Sequence, residues 1–114
     1  LLTPDQPSMI HRLPSDEIYH FYLGDPVELV QLSPDGEGRV TRLGIDLAAG
    51  QRPQAVVAAG TWQGSRLTAG GRLALLGTTM SPGFDPADYE GGQRDALLAA
   101  YPECADLIRG LTRG

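Results

Sequence analysis

His11-Arg-Leu-Pro-Ser-Asp-Glu17-Ile-Tyr-His20-Phe-Tyr-Leu-Gly24, "HRLPSDEIYHFYLG", holds both histidines of the chain with two acids between them. Alternate side chains of a strand point to opposite faces, so residues that converge on one site differ by an even number along it. His11 and Leu13 therefore share a face before the Pro14-Ser-Asp turn. On the next strand Glu17, Tyr19, Phe21 and Leu23 share one face, and Ile18, His20 and Tyr22 share the other. His20 is expected to point away from Glu17. A two-histidine, one-carboxylate metal site built from His11, Glu17 and His20 would need a bulge that nothing in "EIYHFYLG" suggests.

Outward from this stretch, short apolar segments alternate with turn signals as far as about Thr79: Gly24-Asp-Pro, Pro34-Asp-Gly, Ala48-Ala-Gly, Ala58-Ala-Gly and Ala69-Gly-Gly. Spacings of about ten residues between such segments read as a β-sandwich or barrel. "PVELVQLSPDGEGRVTRLGIDL" is the clearest hairpin, and "RLALLGTTM" reads as the most buried strand. After Pro82 the spacing turns helical: Leu97, Leu98 and Tyr101 form one stripe and Leu107, Ile108 and Leu111 another, with Pro102 at the junction. The expected architecture is a single all-β domain over residues 1–114, with the barrel in 1–85 and two short helices in 86–114.

Composition narrows the function. The 114 residues suffice for one core, and no apolar run approaches the roughly 18 residues of a membrane span. Net charge is −5 with scattered acids and no basic stripe, which argues against nucleic acid as a partner. Every basic residue is Arg, which excludes Schiff-base chemistry and a Walker-type phosphate lysine. The lone Cys104 has no internal disulfide partner and reads as a small packing residue. With no signal peptide in view, the cytoplasm is the expected compartment. The chain opens on Leu, and "LLTPDQPSMI" reads as the end of one strand and the start of another, as a fragment would.

The order of elements and the quoted stretch resemble the cupin superfamily, whose first motif reads His-x-His, three or four residues, Glu, six residues, Gly. His11, Glu17 and Gly24 fall on that spacing, and Leu13 stands where the second His would be. The second motif, Pro-x-Gly, two residues, His, is similar to "AAGTWQ", with Ala58 for Pro, Gly60 retained and Gln63 for His. "SDEIYHFYLGDP", "GQRPQAVVAAGTWQ", "SPGFDPADYE" and "LIRGLTR" together resemble small cupins grouped with the sugar-epimerase-like (RmlC-like) jelly rolls. The resemblance implies a cupin-type double-stranded β-helix, a jelly-roll barrel, followed by two short α-helices. It also implies a homodimer, and an N-terminal segment, lacking here, whose absence would open a barrel edge.

With Leu13 and Gln63 in place of two imidazoles, His11 and Glu17 are left as good metal ligands and Gln63 as a poor third. A transition metal normally takes three or four N, S or carboxylate donors, so no cofactor is expected beyond a weakly bound divalent metal. What remains is an imidazole, a carboxylate and an amide facing an apolar cavity lined by Leu13, Tyr19, Phe21 and Trp62 or its neighbours. Glu17 and His11 are the candidate catalytic pair for moving a proton at a carbon beside a carbonyl, as in an epimerase or isomerase. Alternatively, Glu17 only satisfies Gln63 or backbone inside the barrel. Tyr19 and Trp62 are candidates to stack on a ligand ring, and Gln54 to reach the pocket mouth. Asp85 and Asp88 either close the rim or cap the following helix, capping being the simpler role. The expected ligand is a small polar or sugar-like metabolite. Its fate is isomerisation, non-catalytic binding or, if the ligand set sufficed, metal-dependent oxygenase or lyase chemistry.

Overall fold

A computed structural model describes residues 1–80, 82–83 and 85–113. Among the described residues, eight strands form two antiparallel sheets. They are β1 (Ser8–Arg12), β2 (Glu17–Gly24), β3 (Val27–Leu32), β4 (Gly38–Leu43), β5 (Gln54–Val57), β6 (Trp62–Leu67), β7 (Ala74–Met80) and β8 (Glu90–Gly91). The five-stranded sheet runs β4-β3-β6-β1-β8 and the three-stranded sheet runs β5-β2-β7. This is the jelly-roll arrangement, in which two sheets close face to face around one core.

The expected hairpin is present in full register, from Val27 opposite Leu43 to Leu32 opposite Gly38. In its turn, Ser33 Oγ and the Glu37 N–H both donate to Asp35 Oδ1, and Gly36 takes a φ of 94°. β3 alternates between two cores. Val27 and Leu29 join Phe21, Leu43 and Val57 between the sheets, while Val30 and Leu32 join Ile10 and the helices on the outer face. Full burial of each such side chain stabilises the fold by roughly 1.5–3 kcal/mol before the ordering entropy is offset.

The helical spacing after Pro82 produces α1 (Arg94–Ala100) and α2 (Ala105–Gly110), joined by a single 3-10 turn at Pro102–Cys104. Leu97, Tyr101, Ile108 and Leu111 seal the outer face of the five-stranded sheet. Arg94 ties the helices together, since its Nε donates to Thr112 Oγ1 at 2.9 Å and its Nη2 to the Arg109 carbonyl at 3.1 Å. Cys104 is half-buried beside this core and packs as a small side chain, its sulfur close to Gly38.

Two expectations are corrected. "RLALLGTTM" is not the most buried strand: β7 lies at a sheet edge with its outer face in solvent, and β3, covered on both faces, is more deeply enclosed. Within the single chain β2 is covered on one face, and Ile18 and Tyr22 on the other are exposed. Strand structure also extends past residue 85, because Glu90 and Gly91 pair with Arg12 and His11, a stretch too short for any periodicity to reveal. Among the described residues no helix is long and apolar enough to cross a membrane.

Candidate functional site

Turn chemistry delivers the site residues. The Gly60 N–H donates to the Leu13 carbonyl at 2.9 Å and the Ala59 N–H to Asp16 Oδ1 at 2.8 Å. These bonds pin the turn before Glu17 to the turn before Gln63. At the far end of β2, Gly24 has a φ of 104°, and a Cβ there would lie 2.4 Å from the Leu73 carbonyl oxygen, so only glycine fits.

Register then sets which side chains meet. His11 lies opposite Gln63, and Gln63 opposite Gln31, which lies opposite Arg39. One row of polar residues thus crosses the inner face of the five-stranded sheet. On the facing sheet, Glu17 is flanked by Val57 and Met80, and Tyr19 by Ala55 and Thr78. The Tyr19 hydroxyl donates to Gln63 Oε1 and closes the space between the sheets at this level. Burial first, and then the neighbouring Glu17 carboxylate, push the Tyr19 phenol well above its ordinary value, so it remains a donor.

His11 and Glu17 are 9% and 6% exposed. The Nδ1 of His11 lies 2.8 Å from the Met9 carbonyl oxygen, a bond that requires Nδ1–H and leaves the lone pair of the neutral ring on Nε2. The imidazole stacks on Tyr89, with centroids 5.1 Å apart and planes 17° from parallel. Glu17 Oε1 is buried without a hydrogen-bond partner. An unpaired buried carboxylate oxygen is costly, so Oε1 has the capacity to accept from a ligand or an ordered water. The expected alternative, Glu17 satisfied by Gln63, is not seen at Glu17 Oε1, to which the Gln63 amide donates no hydrogen bond.

Phe21 packs in the apolar floor with Leu29, Leu43 and Val57. Two expected ligand contacts are corrected. Trp62 neighbours Gln63 in sequence and so points to the opposite face of β6, toward the helices, where Arg12 sits 4.4 Å over its ring. Gln54 pairs with His20, not with Tyr19, so it lies on the outer face, its Nε2 3.2 Å from His20 Nδ1. His20 also contacts Thr79 Oγ1 at 3.1 Å and is turned away from Glu17 as expected. Asp85 caps its 3-10 turn by accepting from the Ala87 N–H. Within "SPGFDPADYE", Ser81 and Phe84 lie outside the described residues. Reading by residue alone missed Tyr89, Gln31 and Thr61. The strand parity of "VELVQL" contained the signal for Gln31, whereas the Tyr89 stack arises from chain crossing that no local pattern encodes.

Among the described residues no group of three or more His, Cys, Asp and Glu is placed to hold a metal. The donor chemistry explains this. Leu13 offers nothing, and the oxygen of Gln63 already accepts from Tyr19, so His11 and Glu17 alone do not fit a three- or four-donor site.

A family model described as "Cupin superfamily (DUF985)" matches residues 1–91. A crystal structure of a Shewanella oneidensis protein superposes with a TM-score of 0.90 at 39% identity, over 98% of this chain and 70% of that one. A hypothetical protein from Leishmania major gives 0.88 at 28% identity, over 99% and 73%. The WlaRB TDP-quinovose 3,4-ketoisomerase from Campylobacter jejuni gives 0.59 at 18%, over 84% and 67%, and shares the fold. No curated protein sequence matches the chain.

Proposed function

The chain belongs to the DUF985 family of the cupin superfamily, and from that premise we propose that its barrel binds a small polar, sugar-like metabolite and epimerises or isomerises it. One observation carries the proposal: an unpartnered buried carboxylate oxygen on one sheet faces the same interior as an imidazole, held in one tautomer, on the other. Glu17 and His11 thus belong to opposite walls. In its carboxylate form Glu17 takes the proton from a carbon beside a carbonyl, leaving an enolate. His11, in its charged form, returns a proton from Nε2 to the opposite face of that carbon, inverting it, or to a neighbouring atom, isomerising the sugar. The Glu17 carboxyl and neutral His11 then reset by exchanging one proton with solvent. Tyr19 and Gln63 hold the two walls in register, and no step needs a metal or other cofactor.

The fold-sharing Campylobacter protein acts on a sugar nucleotide by its name, which supports carbohydrate chemistry as compatible with this barrel. The proposed compartment is the cytoplasm, where a free Cys104 stays reduced. The deep burial of both groups favours a second reading, a binding module in which they only orient the ligand.

Incubation with a panel of ketoses and keto sugars in deuterium oxide tests the proposal. Loss of a specific C–H resonance, abolished in Glu17→Gln and His11→Ala, is expected. Saturable binding without exchange would leave the binding module. One equivalent of tightly held metal, lost in His11→Ala, would replace both readings with metal chemistry.

A further inference from the structure

Edge strands β4 and β5 of the two sheets face each other across a seam that contains a cleft of about 320 Å³. Its lining includes Gln31, Thr61, Asp35, Arg39, Val56 and Ala58. Gln31 and Thr61 are 4% and 5% exposed, so polar groups have been buried at the cleft floor. Gln31 is also the third member of the register row that begins at His11 and passes through Gln63. At the strand spacing of about 4.8 Å, Gln31 lies roughly 10 Å across the sheet from His11. The cleft therefore lies on the same row beyond Gln63, on the far side of the Tyr19–Gln63 contact from His11.

The groups here have a specific chemistry. Arg39 Nη2 reaches Gln31 Oε1 at only 3.5 Å, the outer limit of a hydrogen bond, and the guanidinium is exposed and free to exchange this contact for a ligand. The Ser33 hydroxyl first, and then the Glu37 N–H, hold the Asp35 carboxyl below its usual range. Both bonds end on Oδ1, so among the described residues Oδ2 is the oxygen left for a new donor. Asp35 and Glu37 against Arg39 make the lining net negative, and the whole chain carries −5, so an oxyanion is repelled. Adjacent hydroxyls, each both donor and acceptor, satisfy a carboxylate, a guanidinium and a carboxamide together. Val56 and Ala58 offer an apolar wall to the C–H face of a ring.

We propose that this seam cleft is a second recognition site, separate from Glu17 and His11, for an uncharged polyhydroxylated group, a neutral glycosyl ring. The inference rests on the sugar-like ligand class proposed above and adds a charge class and a second place on the barrel that takes it.

The test is titration of the isotopically labelled full chain, by amide NMR, with neutral methyl pyranosides of the gluco, galacto, manno and rhamno series. Glucose 6-phosphate and glucuronate serve as charged counterparts. At least one neutral glycoside is expected to saturate with shifts centred on Gln31, Thr61 and Arg39. The charged counterparts should bind at least about tenfold more weakly, and Arg39→Ala, an exposed change, should weaken the neutral glycoside by about tenfold. Absence of saturation by every glycoside, tighter binding of the charged sugars, or shifts centred away from the cleft would each overturn the subsite. Methyl glycosides carry no carbonyl and cannot be isomerised, so the proton-transfer reading stands or falls separately. Their binding should survive in Glu17→Gln, which abolishes C–H exchange, whereas exchange without glycoside binding sinks the cleft alone.

Discussion

Tyr19 is the side chain on which the two sheets meet at the level of the site. Its phenol is buried between them and donates to Gln63, and burial together with Glu17 raises its proton affinity far above that of an exposed tyrosine. The consequence for stability has a definite sign. Because the folded state holds this proton more tightly than the unfolded chain, whose phenol titrates at 10.0, the contribution is fully present below pH 10 and is lost as pH rises beyond it. Tyr19→Phe removes this alkaline loss and strands the buried oxygen of Gln63, at a cost of about 1–3 kcal/mol at neutral pH. Urea denaturation at pH 7 and again above pH 10 should show the variant less stable in the first condition, with a flatter pH profile in the second. Equal profiles would mean that the hydroxyl is not the tie between the sheets.

Among the elements, the β2–β3 connection Gly24-Asp25-Pro26 is fastened to the loop before β7. Asp25 Oδ2 accepts from the Arg72 N–H at 2.7 Å and from the Leu73 N–H at 3.3 Å. The Arg72 N–H first, then that of Leu73, hold the Asp25 carboxyl below its ordinary value of 3.8. A lowered carboxyl stabilises the fold above the unfolded value, and that share disappears as pH falls through the folded one. Asp25→Asn should therefore lower the Tm by a few degrees at pH 7. The gap to the parent should narrow below pH 3.8, where the parent carboxyl is also losing its charge. A gap unchanged by acid would show that packing, not charge-assisted bonding, sets the loop. The β3–β4 hairpin and the two C-terminal helices were legible from alternation, turn residues and helical spacing. β8 was not, because a two-residue bridge is defined by its partner strand alone.

At the scale of the molecule the two sheets are covered unequally. The helices seal the five-stranded sheet, while the outer face of the three-stranded sheet exposes Ile18, Tyr22, Val56 and Leu75. The outward-facing residues of β5, β2 and β7 include no Asp, Glu or Arg, although the chain as a whole is 20% charged. An uncharged face does not repel its own copy, and its exposed side chains gain from burial, so self-association through this face is expected. Sedimentation velocity should give twice the chain mass, and Ile18→Arg, placed at the centre of the patch, should shift it to the monomer mass. A monomeric parent would mean that this sheet works bare in water.

Two properties followed from the sequence by itself: an all-β barrel with two trailing helices, and His20 turned away from Glu17. Each depends on strand parity, helical period or turn chemistry, which act over neighbours in the chain. The direction of Trp62 was readable by the same rule, since it follows from the position of Gln63, but Gln54 depended on the register of β5 against β2. Only the tertiary structure decided that Glu17 Oε1 goes unpartnered, that Tyr19 reaches Gln63 across the barrel, that Tyr89 stacks on His11, and that Gln31 opens into the seam cleft. Those contacts join residues far apart in the chain, and their geometry is set by how two sheets close on one another, a long-range outcome that local preference does not encode.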